Sequence, residues 1–227
     1  VRNFNGNAYF GGGQYLFKLD STLTLTLAKN FGNGKTIYDL EVFNNELIIA
    51  LGPSDKIWTM STLEVFTEAT DATYAIALGT HENKLDRVEE PNKISNCISA
   101  PLTLTSWVPA DPEQYTAGDE TWDVNDLMEY SGALAALKPN GAFFPNQSAE
   151  YLNQTPQLAV YPDVDNGKGS FSAFGSLYVP SIAGLLEVTV GSSPAVGPEL
   201  ANRPDFRMRV RAGVEWNRNI YTGAVDE

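Results

Sequence analysis

The sequence predicts an all-β chain assembled from a repeating unit of about forty residues. Two observations carry that expectation. The first is composition: 19 Gly and 13 Pro punctuate stretches rich in β-branched and aromatic residues, the mixture that makes many short strands. The second is self-similarity. Asp39-Leu40-Glu41-Val42-Phe43-Asn44-Asn45-Glu46-Leu47-Ile48-Ile49-Ala50 falls without a gap on Asp126-Leu127-Met128-Glu129-Tyr130-Ser131-Gly132-Ala133-Leu134-Ala135-Ala136-Leu137, 87 residues further on. Both read Asp-Leu, two residues, an aromatic, a tight polar turn and an apolar strand. An offset of 87 spans two periods of about forty-odd residues.

Further copies fall at similar spacing. Phe4-Asn5-Gly6-Asn7-Ala8-Tyr9-Phe10 precedes the Phe43 unit, Phe174-Gly175-Ser176-Leu177-Tyr178-Val179 follows the Tyr130 unit, and Trp216-Asn217-Arg218-Asn219-Ile220-Tyr221 comes after that. Each is an aromatic, a short Asn/Gly/Ser turn and a strand, which is hairpin chemistry. A second, alternating element recurs downstream at Tyr15–Leu19, Lys56–Met60, Lys84–Val88 and Gly184–Val188, as half-buried strands do. One unit is out of register. The strand expected near residue 86 is assigned to Tyr74–Gly79, and 99–123, with Pro101, Pro109, Pro112 and Gly118, reads as a long loop or insertion. Val124, Leu127, Met128, Leu134 and Leu137 partly satisfy helical spacing. The ungapped match to 39–50 favours strand there.

A period of about 40–44 residues with several hairpins per unit resembles the antiparallel four-stranded blades of β-propellers. The resemblance covers nearly the whole chain and implies one propeller-like repeat domain over 1–227, either a ring or an arc of one. It is architectural. Trp122-Asp123 lacks the upstream Gly-His of WD40 repeats, and the triple glycine Gly11-Gly12-Gly13 of kelch type occurs in one unit alone.

The formal net charge of -13 repels phosphate backbones and argues against a nucleic-acid partner. The basic residues that cluster are Arg203, Arg207, Arg209, Arg211 and Arg218. Alternation in Arg207-Met208-Arg209-Val210-Arg211 gives one strand face, read as solvated or as an interface with an acidic neighbour, with a phosphate- or sugar-acid-binding face as the alternative. Cys97 is the single cysteine, so no internal disulfide forms. No apolar run is long enough to span a bilayer, and no signal peptide is recognisable. The chain opens at Val1 directly in strand-like sequence, which suggests processing or a piece of something longer. Both ends carry the same part of the repeat, which suggests continuation or a partner.

Candidate chemistry is sparse. His81 is the sole histidine, in a turn-like Gly79-Thr80-His81-Glu82-Asn83, so a Ser-His-Asp triad has one place to form and a multi-histidine metal site has none. Asp39 and Asp126 occupy equivalent repeat positions, where paired carboxylates of a glycoside hydrolase would have to stand; a carboxylate that caps a turn is the expected role. Asp163-Val164-Asp165-Asn166-Gly167-Lys168-Gly169 begins like a calcium loop, but no later bidentate Glu follows and Lys168 opposes a cation. Asp119, Glu120, Asp123 and Asp126 read as a solvated acidic run. Asn146-Gln147-Ser148 and Asn153-Gln154-Thr155 fit the glycosylation pattern. Trp107, Tyr115 and Trp122 are read as sealing blade faces, with sugar stacking as the other use. No catalytic, cofactor or metal residue is assigned.

The Thr/Asn/Gly/Pro-rich strands and acidic balance resemble structural proteins of tailed bacteriophages. That resemblance implies a non-catalytic structural or interaction protein, a virion or tail component or an extracellular protein, working with copies of itself or neighbouring subunits. The alternatives are a lectin-like glycan-binding propeller and a glycoside hydrolase.

Overall fold

The computed structural model of the chain describes residues 1–69, 74–97, 114–145, 151–153, 162–181, 184–189, 195–196, 208–216 and 219–226. Every regular element in them is a β-strand. They fall into two compact units, Val1–Gln114 and Tyr115–Glu227.

Three sheets belong to the first unit. The first is β1 (Arg2–Phe4), β2 (Asn7–Gly12), β3 (Tyr15–Leu19) and β4 (Leu25–Asn30). The second is β5 (Asp39–Phe43), β6 (Glu46–Ala50), β7 (Trp58–Ser61) and β8 (Phe66–Glu68). The third is β9 (Leu78–His81), β10 (Lys84–Glu90), β11 (Lys93–Cys97) and β12 (Gln114–Thr116), the last strand lying at the unit boundary. The second unit holds β13 (Asp126–Tyr130), β14 (Ala133–Lys138), β15 (Gly141–Pro145) and β16 (Tyr151–Asn153); then β17 (Phe171–Ala173), β18 (Ser176–Ser181), β19 (Gly184–Thr189) and β20 (Ala195–Val196); and a two-stranded sheet of β21 (Met208–Trp216) and β22 (Asn219–Asp226). Strands neighbour one another in chain order within every sheet, as in the blades of a β-propeller.

The repeat is clearest in its first hairpin. The turns Asn5-Gly6, Asn44-Asn45, Glu82-Asn83, Ser131-Gly132 and Phe174-Gly175 all place both residues at positive φ, between 48° and 82°. That is the two-residue turn whose twist matches the flanking strands. Asp39–Phe43 pairs with Glu46–Ala50 in the same register as Asp126–Tyr130 with Ala133–Leu137. Residues 124–138 therefore form no helix, and Leu47 and Leu134 are both buried.

The third unit corrects the sequence reading. Its first strand is Leu78–His81 and not Tyr74–Gly79, and Lys84–Val88 is the second strand of the sheet, not the later alternating element. The fifth unit is shifted by one residue. Ala173 stands where Phe43 and Tyr130 stand, and Phe174 lies in the turn at φ 50° with 53% of its surface exposed. Of the segment 99–123, residues 99–113 lie outside the described residues, and Gln114–Thr116 is strand.

Packing follows from the repeat. The first strands β1 and β5, β5 and β9, and β17 and β21 lie against one another. Phe4, Tyr9 and Leu16 of the first sheet, with Phe31 just past it, interleave with Leu40, Leu47, Ile49 and Met60 of the second and with Leu51 just past β6. Phe43, Ile48, Ala50 and Ile57 turn the other way, onto Ala75, Leu78 and Leu85. Strand β6 is thus buried on both faces, which is why it reads as an unbroken apolar run. In the second unit Tyr130, Ala135, Leu137 and Phe144 meet Leu177, Val179, Leu186 and Val188.

Polar ties cross the same seams. Tyr9 donates to Glu64 at 3.2 Å, and Lys18 pairs with the same carboxylate. Burial and the Glu64 charge push the Tyr9 hydroxyl up to about 12.

Candidate functional site

Asp39 opens β5, the first strand of the second sheet. Its Oδ1 accepts the Leu40 amide at 2.7 Å, and its Oδ2 accepts the Leu78 amide at 2.8 Å. Both oxygens are engaged, and the second bond ties β5 to β9. Burial raises the carboxyl above the ordinary aspartate range, against the pull of Arg2. Arg2 itself forks onto Glu41 Oε2 at 2.9 and 3.1 Å. The carboxylate is a strut between sheets, the turn-capping role extended across a seam. Asp126 opens β13 in matching register but belongs to the other unit.

His81 is the last residue of β9, half-buried beside the Glu82-Asn83 turn. Among the described residues no three His, Cys, Asp or Glu side chains are grouped to hold a metal ion. The Asp163 loop closes on itself. Asp163 Oδ1 accepts the Asp165 amide at 3.0 Å, and Lys168 Nζ lies 3.0 Å from Asp165 Oδ1. Asn166 is fully buried and donates to the Pro139 carbonyl at 2.9 Å, so this loop anchors neighbouring strands. Tyr115 and Trp122 are half-buried. Trp107, Arg203, Arg207, Arg218, Asn146-Gln147-Ser148 and Gln154-Thr155 lie outside the described residues. The pairing of β21 shifts between Val210 and Ala212, so a bulge at Arg211 interrupts the alternating arginines.

What sequence reasoning missed is a surface. Leu19 lies opposite Ala8 and Leu25, and Phe17 opposite Phe10 and Leu27. Residues directly opposite share a face, and alternation along β3 adds Tyr15 to it. That face points away from the side on which Leu16 packs against the second sheet. Phe10 and Phe17 stack at 5.6 Å, with Tyr15 tilted against Phe17 at 6.2 Å. Leu25 and Leu27 are each 55% exposed, and Leu23 in the preceding turn 79%. No charged residue interrupts the patch. Its signal was visible in Thr22-Leu23-Thr24-Leu25-Thr26-Leu27, a strict alternation.

No family model matches the chain, and no curated protein matches it in sequence. Solved structures do resemble it. A streptogramin B lyase superposes with a TM-score of 0.66 at 14% identity, over 97% of this chain and 73% of that one. Virginiamycin B lyase from Staphylococcus aureus gives 0.66 at 12% identity, over 98% and 86%. The extracellular domain of a hybrid two-component system from B. thetaiotaomicron gives 0.68 at 9% identity, over 99% and 30%.

The fold is of the β-propeller type. At these identities the likeness establishes that and nothing about activity. The expectation that the chain is not an enzyme does not stand, because solved structures of this architecture include streptogramin B and virginiamycin B lyases. That expectation rested on the missing triad and metal cluster, yet the architecture is one that lyases use. Among the described residues no helix is long and apolar enough to cross a membrane.

Proposed function

We propose that this chain is an interaction subunit of a larger protein assembly, and that the open face of its first sheet is the contact surface. The carrying observation is the apolar stripe of Phe10, Tyr15, Phe17, Leu19, Leu25 and Leu27 across β2, β3 and β4, left partly exposed on a sheet whose opposite face is already covered. Contiguous exposed apolar surface of this kind marks association sites.

The complement is another β-sheet face. The reverse side of this same sheet already accepts one from its own chain, through Leu16, Leu47 and Met60, so a sheet of a second copy suits the stripe. The Thr-, Asn-, Gly- and Pro-rich composition supports a virion or other extracellular particle as the setting.

Light scattering on the purified chain tests this. We expect a mass above 24.7 kDa that rises with concentration, and the double variant Leu25→Lys, Leu27→Lys to stay at the monomer mass with unchanged circular dichroism. A wild type that remains monomeric across the concentration series contradicts the proposal.

A further inference from the structure

We infer that Tyr38 is the stacking platform of a saccharide-binding site on the first unit, distinct from the apolar face of the first sheet. Tyr38 closes the loop entering β5, and its backbone amide donates to Ala50 at 2.9 Å. Its ring lies against Gly52. A Cβ built on Gly52 would come within 2.5 Å of the Tyr38 Cε2 atom, so the glycine lets the ring seat directly on the backbone. Gly52 also holds φ +91°, a conformation that other residues rarely adopt.

One ring face is therefore backed by protein, while the residue stays 55% exposed. Among the described residues nothing bonds its hydroxyl. A large aromatic left bare and held rigid loses little entropy on binding, and the flat apolar C–H face of a pyranose fits it.

The polar groups such a ligand needs stand on the same two loops. Lys35, three residues before Tyr38, pairs with Asp55, three residues after Gly52, at 2.9 Å, and both side chains keep about 30% of their surface open. The pair clamps the loops together and retains spare lone pairs on Asp55 and spare hydrogens on Lys35. Thr36 and Ser54 add exposed hydroxyls. A tyrosine ring on the same two loops as one carboxylate, one ammonium and two hydroxyls provides a sugar with an apolar face and with partners for its hydroxyls. A neutral or mildly basic saccharide suits the site, because the chain's net charge of -13 disfavours acidic ones.

The test is titration of the chain with five hexaoses: β-1,4-glucose, β-1,3-glucose, α-1,4-glucose, β-1,4-mannose and β-1,4-N-acetylglucosamine, read by calorimetry and amide chemical shifts. At least one is expected to bind and to shift Tyr38 and Asp55. Tyr38→Ala should weaken it about tenfold or more, Asp55→Asn several-fold, and Tyr38→Phe by less than about threefold, because the ring and not the hydroxyl carries the contact. No binding by any hexaose at 10 mM overturns the inference, as does binding that Tyr38→Ala leaves intact. A proline-rich peptide that shifts Tyr38 where the sugars do not also overturns it.

Discussion

Lys138→Met lowers the unfolding free energy by about 2–4 kcal/mol. Lys138 ends β14 and is fully buried. Its ammonium donates to the Ala117 carbonyl at 2.8 Å and the Asp119 carbonyl at 2.6 Å, and lies 5.6 Å from the Phe143 ring centroid. Methionine matches much of the volume and gives no donor, so the buried Ala117 carbonyl and the part-buried Asp119 carbonyl lose their partner.

The pH dependence has a definite sign. Burial lowers the Lys138 pKa below the ordinary lysine value of 10.5, against the pull of Asp119 and Asp123. The folded state thus sheds this proton before the unfolded state does. The pH-linked part of the Lys138 contribution is fully present above 10.5 and falls away as pH drops through the lower folded value, while its two hydrogen bonds persist at lower pH. Urea unfolding of both proteins between pH 7 and 10 should show the wild-type advantage widening with pH. Equal midpoints at pH 8 would remove the buried-lysine account.

Leu47→Ala costs about 2–5 kcal/mol, and Leu134→Ala a similar amount. Leu47 is wholly buried between the first two sheets, and Leu134 occupies the equivalent place in the second unit at 3% exposure. Leu25→Ala on the open face should change stability by less than about 0.5 kcal/mol in the isolated monomer. Three identical substitutions thus separate by position alone, measured as urea midpoints. A Leu25 variant as damaging as Leu47→Ala would show that its face is covered within the chain.

The units legible in the sequence were those whose aromatic and turn residues both survive. Phe43 with Asn44-Asn45 and Tyr130 with Ser131-Gly132 announced the period. The third unit was hidden because His81 fills the aromatic position, with Glu82-Asn83 as its turn. The fifth was misread by one residue because Ala173 takes that position and Phe174 supplies a turn φ of 50°. Hairpin geometry tolerates such exchanges when neighbouring sheets fix the register, so backbone conformation outlasts the sequence pattern.

The polar sites were less legible. By the 87-residue offset Lys138 stands where buried Leu51 stands. A lysine at a core position of the repeat was the signal for it, visible only once the alignment was carried one residue past the strand. Asp39 was seen as a turn cap, but its bond to the Leu78 amide depends on which sheets adjoin. The leucines of β4 alternated plainly. Alternation says which residues share a face, never whether that face is covered.

The central claim is that the first hairpin recurs in one register through the five four-stranded sheets. In antiparallel pairs without mutual hydrogen bonds the two Cα atoms approach most closely, and the two-residue turn places such a pair one step back from the turn. Strong cross-strand Hα–Hα nuclear Overhauser effects are therefore expected at Asn3–Ala8, Val42–Leu47, Thr80–Leu85, Glu129–Leu134 and Ser172–Leu177. Absence of the Thr80–Leu85 contact, or sequential amide–amide contacts running through residues 124–138 as a helix gives, would contradict the account.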